Sequence, residues 1–181
     1  MKILAFHTHK NDPLSVLIKA ETRSQYCHGA VLIDTQKWVD QLVEQFKPPT
    51  TPIATKHLIV EEFYPKVRTR YLDQDELSEI DVFDVPSHLP ASEDLSMAYA
   101  IQQIIARLPY DIPDLFRFVP GFRALLGEAH DDAMKRHQFC SQFVFNTYRI
   151  GNTKLLQCHD FEFSPAQLSW SPLAIPISKL T

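Results

Sequence analysis

The sequence predicts an α+β domain. Three observations carry this. Two short apolar runs, Ile3–Phe6 and Tyr26–Ile33, flank a short helical pattern. Three further strand candidates, His57–Phe63, Val67–Leu72 and Ile80–Val85, follow in quick succession. Apolar residues recur at helical spacing in the stretches that remain, and packing helices against strands buries both kinds of apolar face. The chain has 181 residues, which suits one domain with one real core.

The elements follow in order. Ile3–Phe6 is a strand, and Asp12-Pro13 then supplies an N-cap with proline at the first helical position. Leu14, Val16, Leu17 and Ile18 suit a short helix that leaves through Glu21-Thr22-Arg23-Ser24. Tyr26–Ile33 reads as a mostly buried strand closed by Asp34-Thr35. Trp38, Val39, Leu42, Val43 and Phe46 mark an amphipathic helix ending at Lys47. Pro48–Pro52 is a loop, because proline lacks an N–H and drives its predecessor out of helix.

In the strand group, Val67–Leu72 alternates imperfectly, as a half-exposed strand does. Ser92 is the expected cap of a helix reaching about Leu108, with Glu93 and Asp94 against the positive end of its dipole. Pro109–Pro120 is expected to be a loop, and Phe122–Ala129 a short helix. Cys140–Ile150 reads as a helix buried on one side and stopped by Gly151. The end is expected to be irregular, with one strand near Leu173–Ile177.

Composition excludes several classes. Hydrophobic residues are 45% and charged residues 22%, which rules out a disordered, collagen-like or rod-like chain. The net charge of −4 and the lack of any Lys/Arg block give no footprint for nucleic acid or an anionic membrane. Four scattered glycines exclude the usual phosphate-cradling loops. Cys27, Cys140 and Cys158 are no disulfide framework and suit a reducing compartment. The N-terminus turns polar too early for a signal peptide, and no apolar run is long enough to span a bilayer.

A catalytic cysteine needs a thiolate, a base, and a group that orients the base. Cys140 opens a helix, where the dipole lowers a thiol pKa and free amides can receive an oxyanion. His28, inside an apolar strand and followed by Gly29, is the candidate base, with seven other histidines, His7, His9, His57, His88, His130, His137 and His159, competing for the role. The competing readings are a small core cysteine and a satisfied core histidine. A zinc site joining Cys27-His28, His137-x-x-Cys140 and Cys158-His159 is a further alternative. It is weakened by strand alternation, which points Cys27 and His28 to opposite faces.

Four segments together resemble a known group. They are SQYCHGAVLID (24–34), HLIVEEFYPKVRTRYL (57–72), QFCSQFVFNTY (138–148) and FSPAQLSWSPL (163–173). In this order they resemble the circularly permuted, papain-like cysteine hydrolases of the NlpC superfamily, YiiX-like branch, in which histidine precedes cysteine. The resemblance implies a permuted papain-like fold, with an antiparallel sheet or half-barrel packed against helices that include the cysteine-bearing one. It covers roughly Ile3 to Ile177 and implies a single domain over 1–181, with an inserted helix and Pro-rich loop at about 35–54 that could shape or cover the cleft.

Carried over, the resemblance makes Cys140 the nucleophile, His28 the general base and Glu61 the residue orienting it, with Glu62 the adjacent alternative. Strand parity does not choose, since Glu61 shares a face with Ile59 and Phe63, and Glu62 with Leu58 and Val60. Tyr110, Phe116 and Phe118 are candidate cleft aromatics, with core packing as the plainer reading. The sequence departs from the group at Cys27, where serine is usual, and at Gln142, where glutamate is usual.

The implied activity is thiol-dependent hydrolysis of amide or ester bonds through an acyl-enzyme, without cofactor or metal. The implied substrates are peptides, cell-wall peptides or acyl and lipid groups. Acyl transfer by the same apparatus, or a catalytically silent binding module, are the alternatives. The expected location is the cytoplasm, or that of a phage or effector product delivered by another route.

Overall fold

The computed structural model describes residues 1–7, 13–63, 65–106, 139–157, 164–177 and 180. Its centre is a six-stranded sheet in which every neighbouring pair is antiparallel. In chain order the strands are β1 (Lys2–Phe6), β2 (His28–Ile33), β3 (Ala54–Phe63), β4 (Lys66–Asp73), β5 (Ile80–Asp84) and β6 (Ile175–Ile177). Across the sheet they run β4-β3-β2-β1-β5-β6.

The apolar runs take the middle of the sheet because both of its faces are covered there. Every residue of β2 is buried, and Leu58–Glu62 of β3 are fully buried. The larger apolar cluster, with Val31, Leu58, Val60, Phe143 and Tyr148, fills the face that meets the helices. A smaller one, with Leu4, Phe6, Ala30, Leu32 and Ile59, covers the other. The edges differ from the middle. β4 alternates between buried and partly exposed, and β6 is three residues with Pro176 in it, as befits an edge.

The helices are α1 (Pro13–Thr22), α2 (Gln36–Phe46), α3 (Pro90–Ala106) and α4 (Cys140–Ile150). α2 buries Trp38 and Leu42 and ends at Lys47, whose φ of 47° turns the chain and brings its amide to the Val43 carbonyl. Its two connections join the sheet at Ile33 and Ala54, the end away from His28. The expected cover over the cleft is therefore tethered at the far end of the sheet.

Some expectations need correction. α3 starts at Pro90, not at Ser92. The Leu89 carbonyl already accepts the amides of Ser92 and Glu93, so Ser92 sits inside the first turn, and proline opens the helix at no cost in hydrogen bonds. α4 is buried all round from Cys140 to Tyr148, not on one side. One face packs on β2 and β3. Elsewhere Ser96 Oγ of α3 donates to the Thr147 carbonyl at 2.6 Å, and Tyr99 stacks on Phe143.

Two 3-10 helices, Gln74–Ser78 and Pro165–Trp170, add to the expected elements. Each is closed by a capping box, Asp73 with Glu76 and Ser164 with Gln167. The loop expected at Pro109–Pro120 and the helix at Phe122–Ala129 lie outside the described residues. Among the described residues no helix is long and apolar enough to cross a membrane.

Candidate active site

His28 opens β2. Its ring lies against Phe6 of β1 and edge-on to Phe63 of β3, and the residue is 5% exposed. Alternation along the strands puts His28, Glu61, Arg68 and Arg70 on one face, the one that carries Ile59 and Leu72. Glu61 pairs with Ala30 of β2 on one side and Arg68 of β4 on the other. It is fully buried, and its Oε2 accepts from His28 Nε2 at 3.0 Å. The parity question thus has an answer in the fold: Glu61 meets the imidazole, while Glu62, equally buried, turns to the face carrying Leu58 and Val60.

Two arginines complete the Glu61 environment. Arg68 Nε and Arg70 Nε donate to its Oε1 at 2.9 and 2.8 Å. Burial alone would push the Glu61 carboxyl up. The His28 hydrogen bond and the charges of Arg70 and His28 outweigh that and hold it well below the usual carboxylate range.

Cys140 begins α4 and is 1% exposed. Its thiol lies within hydrogen-bonding reach of the His28 ring, and with Nε2 committed to Glu61 the nitrogen left for sulfur is Nδ1. The β2–β3 ladder stops at Ala30–Glu61 although β3 runs on to Phe63. Just beyond that point the Gly29 amide reaches the sulfur, as does the Ser141 amide from the first turn of α4. Burial raises the thiol pKa, but the imidazolium charge, its hydrogen bond and these two amides bring it below the ordinary value. Conversely, burial works against a charged His28, yet Cys140 and then Glu61 push it up to about 9. Each group of the pair thus favours the charged form of the other.

Gly29 is required by close approach. A Cβ there would lie 2.7 Å from Leu168 Cδ1 and 3.5 Å from Val144 Cγ2. Small size at this position lets α4 and the second 3-10 helix seat against β2, which delivers Cys140 to the strand carrying His28.

The structure therefore brings together Cys140, His28 and Glu61, and leaves Glu62 on the other face. Tyr110, Phe116 and Phe118 lie outside the described residues, as do His9, His130, His137, Cys158 and His159. Among the described residues no group of three or more His, Cys, Asp or Glu is placed to hold a metal. Arg68, Arg70 and Glu76 were not singled out from the sequence. The available signal was the same-face spacing of Arg68 and Arg70, but the register that sets them against Glu61 is a long-range fact. Comparison of the sequence with models of known protein families and with curated proteins finds no match.

Proposed function

We propose that this protein is a thiol-dependent hydrolase of amide or ester bonds, built as a permuted papain-like domain. The observation that carries the reading is a helix-opening cysteine in contact with a histidine that is itself held by a buried carboxylate. Those are the parts covalent catalysis asks of a nucleophile, its base and the base's orienter.

The chemistry follows from the geometry. The Cys140 thiolate attacks a carbonyl carbon, and amides at the positive end of the α4 dipole receive the developing oxyanion. His28 gives its proton to the leaving amine or alkoxide, and an acyl-enzyme remains. His28 then takes a proton from water, the resulting hydroxide adds to the thioester, and the thiolate departs. Glu61 keeps the ring oriented and supports its positive charge. Peptides, cell-wall peptides and acyl or lipid esters and amides are the substrates to try.

Two measurements test this. A panel of peptide, lipid and ester substrates should be turned over by the wild type and not by Cys140→Ala. Site-resolved alkylation with iodoacetamide at neutral pH should favour Cys140 over Cys27 and Cys158. In His28→Ala that preference should fall at least about tenfold, because an ordinary thiol of pKa ~8.5 is only a few per cent thiolate at pH 7. Equal, slow labelling of all three thiols with no turnover would make the protein a silent module.

A further inference from the structure

Arg70 holds Glu61 by more than one contact. Its Nε donates to Oε1 at 2.8 Å and its Nη2 reaches Oε2 at 3.4 Å, so one guanidinium spans both carboxylate oxygens. The outer half of the same fork is fixed in turn. Nη1 donates to Glu76 Oε2 at 2.6 Å and Nη2 to Glu76 Oε1 at 2.9 Å. Glu76 is anchored by the Asp73 amide at 2.9 Å, the bond that closes the capping box of the first 3-10 helix. Arg70 and Glu76 side chains are only 14% and 15% exposed. Arg68, which also touches Glu61, is 39% exposed and lies over the Phe63 ring.

We infer that Arg70 is a positioning residue of the proposed hydrolase: by clamping both oxygens of Glu61 it keeps that carboxylate ionised and turned towards His28, and so maintains the Cys140–His28 ion pair. The inference rests on the function proposed above.

The physical reason is the burial of Glu61. A carboxylate removed from water takes up a proton unless a charge partner or hydrogen bonds oppose it. A protonated Glu61 supplies no negative charge to the imidazolium, and the thiolate then loses its own partner. Among the described residues the charged groups around Glu61 are His28 from β2, Arg68 and Arg70 from β4 and, through Arg70, Glu76, with Cys140 of α4 beyond the imidazole. Arg68 is more solvated and its charge is more strongly screened, so Arg70 carries most of the compensation. Glu76, Arg70, Glu61, His28 and Cys140 form one chain of alternating charge, from the 3-10 helix to the sulfur.

The test is a pH titration of Cys140 by thiolate ultraviolet absorbance, which needs no reagent to enter the site. Each spectrum is corrected with the matching Cys140→Ala protein, and thermal unfolding of each variant is recorded alongside. Removing Arg70 raises the thiol midpoint by allowing Glu61 to protonate, which withdraws the negative charge that supports the imidazolium. Arg70→Met is expected to move the midpoint up by about one pH unit or more, roughly a tenfold loss of thiolate at a pH on the rising limb. Arg70→Lys restores the charge without the fork and should move it less. A merely structural role would lower the unfolding temperature and leave the midpoint alone. The inference is overturned if folded Arg70→Met, or folded Arg70→Gln should the first not fold, titrates at the wild-type midpoint. A wild-type midpoint at the ordinary ~8.5 removes the ion pair itself, and the role of Arg70 with it.

Discussion

Replacing Glu61 with Gln keeps the outline of the side chain and deletes its charge. The carboxylate is 0% exposed and faces Arg68, Arg70 and His28 at 2.8–3.0 Å, so water does not replace what is lost. Breaking a buried ion pair from one side costs about 3–5 kcal/mol, because the orphaned charges stay buried. Here Arg68 can turn to solvent and Arg70 keeps Glu76, so the lower end, about 3 kcal/mol, applies. For a chain of this length that is a fall in Tm of about 6–12 °C.

The loss should depend on pH with a definite sign. Glu61 has its folded pKa depressed, chiefly because His28 and Arg70 outweigh the upward push of burial. Such a group stabilises the fold fully above its unfolded value of ~4.3, and the contribution disappears as pH falls through the folded value. The Tm gap between wild type and Glu61→Gln should therefore be full near neutrality and narrow steadily below about pH 4. Circular dichroism melts across that range measure it. A gap that stays constant into strong acid, or one below about 1 kcal/mol at neutrality, would refute the placement of an ionised Glu61 in this network. Glu62→Gln serves as the comparison. It should disturb the Cys140 thiolate titration less than Glu61→Gln does, and the opposite order would move the orienting role to Glu62.

Two further substitutions probe the scaffold that delivers the site. Gly29→Ala forces a methyl against Leu168, which is fully buried and cannot swing clear, so the cost should be about 1–3 kcal/mol. Urea unfolding should show that penalty shrinking in a Leu168→Val background, and simple additivity of the two changes would mean that the contact is not what excludes a side chain. Ser96→Ala removes the bond to the Thr147 carbonyl and the contact with His88 Nε2 at 3.2 Å, both beside the end of α4. The expected loss is about 1–3 kcal/mol, and a denaturation midpoint unchanged from wild type would show that the carbonyl finds another donor.

Much of the secondary structure was legible in the chain. The runs Ile3–Phe6 and Tyr26–Ile33 had no alternative to burial, and the prolines after Lys47 left α2 nowhere to continue. Local chemistry also placed Cys140 at a helix start, since α4 begins there and Gly151 follows its last turn. What misled the reading was burial on all sides. Full cover around α4 hides the one-sided pattern expected of it, and cover on both faces of β3 hides which of two adjacent glutamates faces the histidine.

The sequence by itself determined most of the described strands and helices and the place of Cys140 at a helix start, because these follow from spacing, caps and breakers within a few residues of one another. Only the tertiary structure decided that Glu61, not Glu62, meets His28, that Arg68 and Arg70 compensate it, and that Glu76 anchors Arg70. Those facts depend on strand register and on which neighbour each strand takes. Register is settled by the packing of the whole sheet, and no short stretch of chain contains it.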